Sequence, residues 1–171
     1  DNFKTSVFLR TVYFQYLKKK EKENNIKNKK GYVSFEQVFL KNYTQQTKDC
    51  WDITEYFLKE FKKEADKMDT DLKVIILPHP ASASEKYKKI FFEKDTFFNE
   101  SELDFNRPQI IYQKILEKEK IDYLDLTGII KSQNQDVFIE NDLHFNELGH
   151  KIVADVLKRD IDNHILMKRI R

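Results

Sequence analysis

The sequence predicts an α/β domain built on a parallel sheet with right-handed crossovers. Three observations lead there. Apolar residues between 47 and 68 recur at intervals of three and four, the period of an amphipathic helix. Two short strand-like runs follow, residues 73–78 (KVIILP) and 121–126 (IDYLDL), with helical stretches before, between and after them. Only three Gly and three Pro punctuate 171 residues, so long helices and few tight turns are expected.

In chain order, residues 6–17 (SVFLRTVYFQYL) are apolar nearly all round, which for a helix implies burial on more than one side. Residues 18–30 (KKKEKENNIKNKK) carry charge and Asn with one apolar side chain. They have too little to bury to offset the entropy of ordering, and read as an exposed loop. The helix over 47–68 turns Cys50, Ile53, Phe57, Leu58, Phe61, Ala65 and Met68 inward. The unbroken aliphatic run at 73–78, closed by Pro78, suits a central parallel strand covered on both faces. A short helix over 84–92, a polar and aromatic stretch, and a helix over 108–118 lead to the second strand. The last helix starts at about Glu147 with Leu148, Ile152, Val153, Val156 and Leu157 on one face, which packs it back onto the sheet. Phe91, Phe92, Phe97, Phe98 and Phe105 fall between the strands, either as a lid or partner surface or as rings completing the core under a long loop.

The length fits one domain, 1–171, and not two of ordinary size. With 35% charged residues and no apolar stretch near the roughly 20 residues a spanning helix needs, a membrane span is excluded within this segment. No signal-peptide pattern opens it, and its first residue is Asp1 rather than Met, as expected of a chain processed, trimmed or cut from something longer. Lys and Arg number 31 against 29 Asp and Glu, which gives no concentrated basic face for nucleic acid. The single cysteine, Cys50, permits no internal disulfide and is expected to pack within its helix beside Trp51.

Ligand chemistry in open parallel sheets gathers at the carboxyl ends of the strands. Two segments fall there, residues 78–84 (PHPASAS) and Thr127-Gly128; a third candidate is the turn at 140–150 (ENDLHFNELGH) ahead of the last helix. In that turn one residue separates Asp142 from His144, so an extended or turning backbone puts both side chains on one side. A carboxylate beside an imidazole fixes its tautomer and stabilises the imidazolium, as a general base taking a proton from a hydroxyl nucleophile requires. The other reading of the same residues is a helix start, with Asp142 or Asn146 as the cap and His144 a surface loop residue.

Asp142-Leu143-His144-Phe145-Asn146-Glu147-Leu148-Gly149-His150, followed by Ile152-Val153-Ala154, resembles the last block of the SGNH (GDSL-type) hydrolase superfamily. The single residue between Asp142 and His144 is closer to its carbohydrate O-acetyltransferase-like branch than to ordinary lipases and esterases. The resemblance implies a three-layer α/β/α sandwich of flavodoxin-like type and serine-dependent ester chemistry, either hydrolysis or O-acyl transfer on a carbohydrate or small ester. It implies His144 as the general base, Asp142 as the group that orients it, and no cofactor. Residues 73–78 and 121–126 resemble the family's fourth and fifth strands, and the opening helix, with Ser6, Leu9 and Tyr13, is similar in layout to the segment after its third. The family sets its nucleophile in a Gly-Asp-Ser turn after the first strand and takes oxyanion-hole donors from a glycine and an asparagine in two further blocks. None of the three blocks occurs here. What is resembled is therefore the carboxyl-terminal part of such a domain, incomplete at its N-terminus, with the nucleophilic serine upstream.

The remaining candidates are weighed against that layout. His79, held extended between two prolines, is a candidate for lining the pocket and binding substrate, or else is an exposed loop residue. Asn146 is the second candidate for substrate binding. Ser82 and Ser84 lie on the same edge, where hydroxyls commonly cap the next helix, and Ser84 ahead of Glu85 fits that duty; Ser6 and Ser34 have less to recommend them. His150 with Asp142 and His144 offers ligands for zinc or manganese, yet three ligands within nine residues rarely converge across a helix start, so no metal is expected. His164, near Asp162, Asn163 and Lys168, is expected to face solvent. Two readings compete with the enzyme: a binding module that kept the sandwich and lost its nucleophile, and a purely structural α/β domain.

Overall fold

The computed structural model describes residues 35–93, 98–140 and 142–170, with side chains from 36 to 163. Contacts divide the chain into Asp1–Ser34 and Phe35–Arg171, and all the described elements belong to the second unit. The runs at 6–17 and 18–30, with Ser6, Ser34, Phe97 and the side chain of His164, lie outside the described residues.

Helix and strand are mixed. After a 3-10 turn at Phe35–Phe39 come α1 (Gln45–Lys67), β1 (Lys73–Ile76), α2 (Pro80–Ala83), α3 (Glu85–Glu93), α4 (Arg107–Lys118), β2 (Asp122–Asp125), α5 (Thr127–Lys131) and α6 (Glu147–Ile170). The Thr44 hydroxyl starts α1 by accepting from Thr47 N at 3.2 Å, an N-cap that satisfies an otherwise orphan donor. Pro108 sits in the first turn of α4, where a missing N–H leaves no bond unmade. The two strands pair in parallel, Lys73 opposite Asp122 and Ile76 opposite Asp125. Each is shorter than the run that announced it, and the ladder of β1 stops ahead of Pro78, which has no N–H to give.

Alternation along the strands sends their side chains to two faces, and both are covered. Ile75 and Leu124 pack with Tyr87 of α3, Ile130 of α5 and Val156 of α6. Val74, Ile76 and Tyr123 pack with Leu58 of α1 and with Tyr112 and Leu116 of α4. Leu116 is fully buried, which contributes about 1.5–3 kcal/mol. Leu148, Ile152 and Val153 join Val156 against the sheet, as the pattern of the last helix predicts.

Two expectations are corrected. Among the described residues β1 has one strand neighbour, β2, and not the central place expected of it. Cys50 is exposed rather than packed, and Phe61 and Met68 are 41% and 69% exposed. The inward line of α1 runs through Thr47, Trp51, Leu58 and Ala65. A stripe of seven apolar positions is wider than the surface one helix meets, so its far edge stays in solvent. Of the phenylalanines between the strands, the described ones pack as a core: Phe105 is buried, its ring 4.9–5.8 Å from those of Phe39, Phe91 and Phe92, and Phe98 packs on the same cluster. Among the described residues no helix is long and apolar enough to cross a membrane.

Candidate functional site

Between α5 and α6 the chain doubles back on itself. Phe138 and Phe145 form an isolated antiparallel bridge, their rings stacked at 5.0 Å. Asn146 N donates to Val137 O at 3.0 Å, and Ile139 N to His144 O at 2.8 Å. Leu143, in the loop this bridge closes, has φ 64°, a left-handed conformation that an L-leucine adopts at a cost of about 1–2 kcal/mol. The turn leaves Asp142 and His144 side by side, Oδ1 to Nδ1 at 2.8 Å. An ionised carboxylate can only accept, so in a neutral ring this contact places the proton on Nδ1 and leaves the lone pair on Nε2. The His144 side chain is 78% exposed.

Asn146 starts α6. Its Oδ1 accepts from Gly149 N at 2.9 Å and its Nδ2 donates to Asp136 O at 2.8 Å. The two sequence readings of the motif are therefore divided between residues: Asn146 takes the cap, and Asp142 takes the histidine. The Asn146 amide is engaged by backbone groups and is not part of the lining of the neighbouring groove. At Gly149 a Cβ would stand 2.3 Å from Val137 O and 2.7 Å from the Phe145 ring, an approach that glycine alone permits.

Leu143, His144, Phe145 and His150 line an apolar groove of about 790 Å³, together with residues 74–80 and the rings of Phe39, Trp51 and Tyr112. It thus includes the segment leaving the carboxyl end of β1, the usual place for ligand chemistry in a parallel sheet. His79 belongs to this lining and is half-buried, not an exposed loop residue. It also caps α2, its Nδ1 accepting from Ala81 N at 3.2 Å. That bond leaves the ring proton on Nε2, and desolvation lowers the pKa to about 4, so His79 is a neutral donor at neutral pH.

Other candidates have structural duties. Ser82 is buried and donates to Phe105 O at 2.6 Å. Ser84 follows α2 as its C-cap, and its carbonyl accepts from Lys88 N at 3.0 Å in the first turn of α3. Thr127-Gly128 opens α5, where Asp125 Oδ1 accepts from Thr127 N at 2.8 Å, and does not line the groove. The His150 ring lies 6.1 Å from that of Phe145. The described residues hold no group of three His, Cys, Asp or Glu arranged to bind a metal.

The sequence reading does not anticipate Asp136. Its Oδ1 accepts from Phe138 N at 3.2 Å, and its Oδ2 from Lys86 Nζ at 2.7 Å and Tyr87 Oη at 3.1 Å. Tyr87 Oη also reaches Phe138 O at 3.1 Å. Desolvation pushes the Asp136 carboxyl upward, but the bonds from Lys86, Phe138 N and Tyr87 together hold it below the ordinary carboxylate value. Burial first, and then the bond to Asp136, pushes Tyr87 up to about 12. The one local signal was an aspartate whose side chain can reach the N–H two residues on, the spacing of an Asx-turn.

Comparisons of this chain with protein-family models, with curated proteins and with solved structures find no match.

Proposed function

We propose that this chain supplies the aspartate–histidine half of a serine-dependent ester hydrolase or O-acyltransferase of SGNH type, acting on an acylated carbohydrate or small ester. The observation that carries the reading is the 2.8 Å contact of Asp142 with His144, with the imidazole lining an apolar groove beside the carboxyl end of β1. The serine comes from a Gly-Asp-Ser turn upstream. His144 Nε2 takes its hydroxyl proton as the oxygen attacks the ester carbonyl, Asp142 stabilises the imidazolium, and the proton passes to the departing alkoxide as the acyl-oxygen bond breaks. Water, or an acceptor hydroxyl, then takes the acyl group by the same steps in reverse. His79, neutral and part of the groove lining, is the residue assigned to contact the substrate. In this reading β1 and β2, with helices on both faces, belong to the carboxyl-terminal part of a three-layer α/β/α sandwich.

Hydrolysis of p-nitrophenyl acetate by the full-length protein tests the proposal. His144→Ala is expected to lower turnover by several decades, since loss of a triad member does so elsewhere; unchanged turnover removes the histidine from the mechanism. One observation favours a rival: these 171 residues contain no Gly-Asp-Ser, and Ser82 is engaged with Phe105. A binding module that lost its nucleophile fits that fact. A strand ending in Gly-Asp-Ser ahead of Asp1 decides for the enzyme, and a full-length sequence without one decides for binding.

A further inference from the structure

We infer that Asp136 is a positioning residue for the Asp142–His144 pair, its carboxylate tying the loop that carries the pair to helix α3 through Lys86 and Tyr87. The inference rests on the proposed ester chemistry for its kinetic readout alone.

The pair cannot hold its own geometry. Asp142 and His144 are 58% and 78% exposed, and hydrogen-bonded pairs in solvent constrain side chains weakly. Leu143, between them, has a backbone conformation that works against the turn. The constraint comes from behind. Residues 144–146 are each tied to the opposing segment: His144 O to Ile139 N, Phe145 to Phe138 by the bridge, and Asn146 N to Val137 O.

That opposing segment is in turn organised by Asp136. Its Oδ1 takes Phe138 N, and its backbone carbonyl takes the Asn146 side chain, so one residue holds both strands of the bridge at the same end. Its Oδ2 is held by Lys86 Nζ at 2.7 Å and Tyr87 Oη at 3.1 Å, groups on a helix whose Tyr87 ring is buried against Phe138 at 5.3 Å. Lys86 and Asp136 are themselves 48% and 38% exposed, so their ion pair adds little, and the tie rests chiefly on the bonds of Asp136 to Tyr87 Oη and Phe138 N. A chain of short contacts thus runs from the α3 core through Asp136 to the backbone on either side of His144.

The test uses Asp136→Asn, which keeps the shape and loses the charge, and Tyr87→Phe, which keeps the ring and loses the hydroxyl. The first readout is the pair of imidazole 15N shifts of His144, recorded through its carbon-bound protons with the ring neutral; these report which nitrogen holds the proton. Wild type is expected to show the Nδ1–H tautomer. Asp136→Asn is expected to shift the population toward Nε2–H, the form favoured by an unrestrained ring, with Tyr87→Phe moving the same way by less. The second readout is p-nitrophenyl acetate kinetics in the full-length protein, where Asp136→Asn is expected to lower kcat by about tenfold to a hundredfold with KM unchanged.

A merely structural role would reduce the folded fraction and leave the tautomer of the folded molecules as it was. Wild-type His144 shifts in both variants overturn the inference. Should Asp136→Asn fail to fold, Tyr87→Phe decides by the same shifts. If His144→Ala itself leaves turnover unchanged, the ester chemistry falls, while the tautomer measurement still decides the role of Asp136.

Discussion

Replacing Gly149 with alanine sets two effects of opposite sign against each other. Gly149 has no positive φ and lies within α6, where alanine is the better helix former by about 1 kcal/mol. Space runs the other way. The new Cβ would stand 2.3 Å from Val137 O, 2.7 Å from Phe145 Cδ1 and 3.0 Å from Phe145 Cβ, against an optimum near 3.5–4.0 Å for carbon pairs. The ring could swing aside. The carbonyl is backbone and already accepts from Asn146 N, so it can move only by opening the bridge. Two backbone bonds lost at about 1 kcal/mol each, with residual overpacking of about 1–3 kcal/mol, outweigh the gain in propensity. The net expectation is destabilisation by about 2–4 kcal/mol. Gly128→Ala is the matched control: a Cβ there meets nothing within 4 Å, so the same substitution should be neutral or stabilising by up to about 1 kcal/mol. Urea unfolding followed by circular dichroism measures both. Gly149→Ala as stable as wild type would refute the close approach of Val137 to the start of α6, and with it the geometry assigned to the His144 loop.

Two further outcomes are expected. The pKa of His79, lowered by burial from 6.5 to about 4, makes the unfolded chain take up its proton first on acidification. Stability is therefore intact above about pH 6.5 and falls between there and pH 4 by up to about 3 kcal/mol. His79→Asn can keep the cap on Ala81 without titrating, so urea midpoints at pH 7, 5.5 and 4 should fall less steeply in the variant; parallel slopes would contradict the burial of the ring. Ser82→Ala removes the 2.6 Å bond to Phe105 O and should cost about 1 kcal/mol of stability, leaving p-nitrophenyl acetate hydrolysis by the full-length protein unchanged. A collapse of turnover with stability intact would instead make Ser82 the nucleophile.

What was legible in the sequence was local. Aliphatic runs such as 73–78 demand cover on two faces, and they received it from Tyr87 on one side and Leu116 on the other. The i, i+2 spacing of Asp142 and His144 allowed them one side of the chain, and they lie there. Periodicity gives the spacing of a helical face but not its rotation about the axis, which is why the inward line of α1 passes through Trp51 and leaves Cys50 outside. Leu143 gave no sign of a left-handed turn, because leucine has no preference for one. The Asp136 network was out of reach for a different reason. Lys86 and Tyr87 lie 50 and 49 residues away, and only the packing of α3 brings them near.

Of the three imidazoles lining the groove, His79 and His144 differ in what their Nδ1 atoms meet, and that difference puts their Nε2 atoms in opposite states. His79 Nδ1 faces a backbone N–H, a group that can only donate, so the ring proton must sit on Nε2. His144 Nδ1 faces a carboxylate, a group that can only accept, so its proton must sit on Nδ1. His79 thus holds its proton on a buried Nε2, where a neutral His144 keeps a lone pair. Burial keeps the first neutral, while the side chain of the second is 78% exposed. Two residues of the same type, held by a helix cap and by a strained turn, are differentiated by their partners rather than by their chemistry.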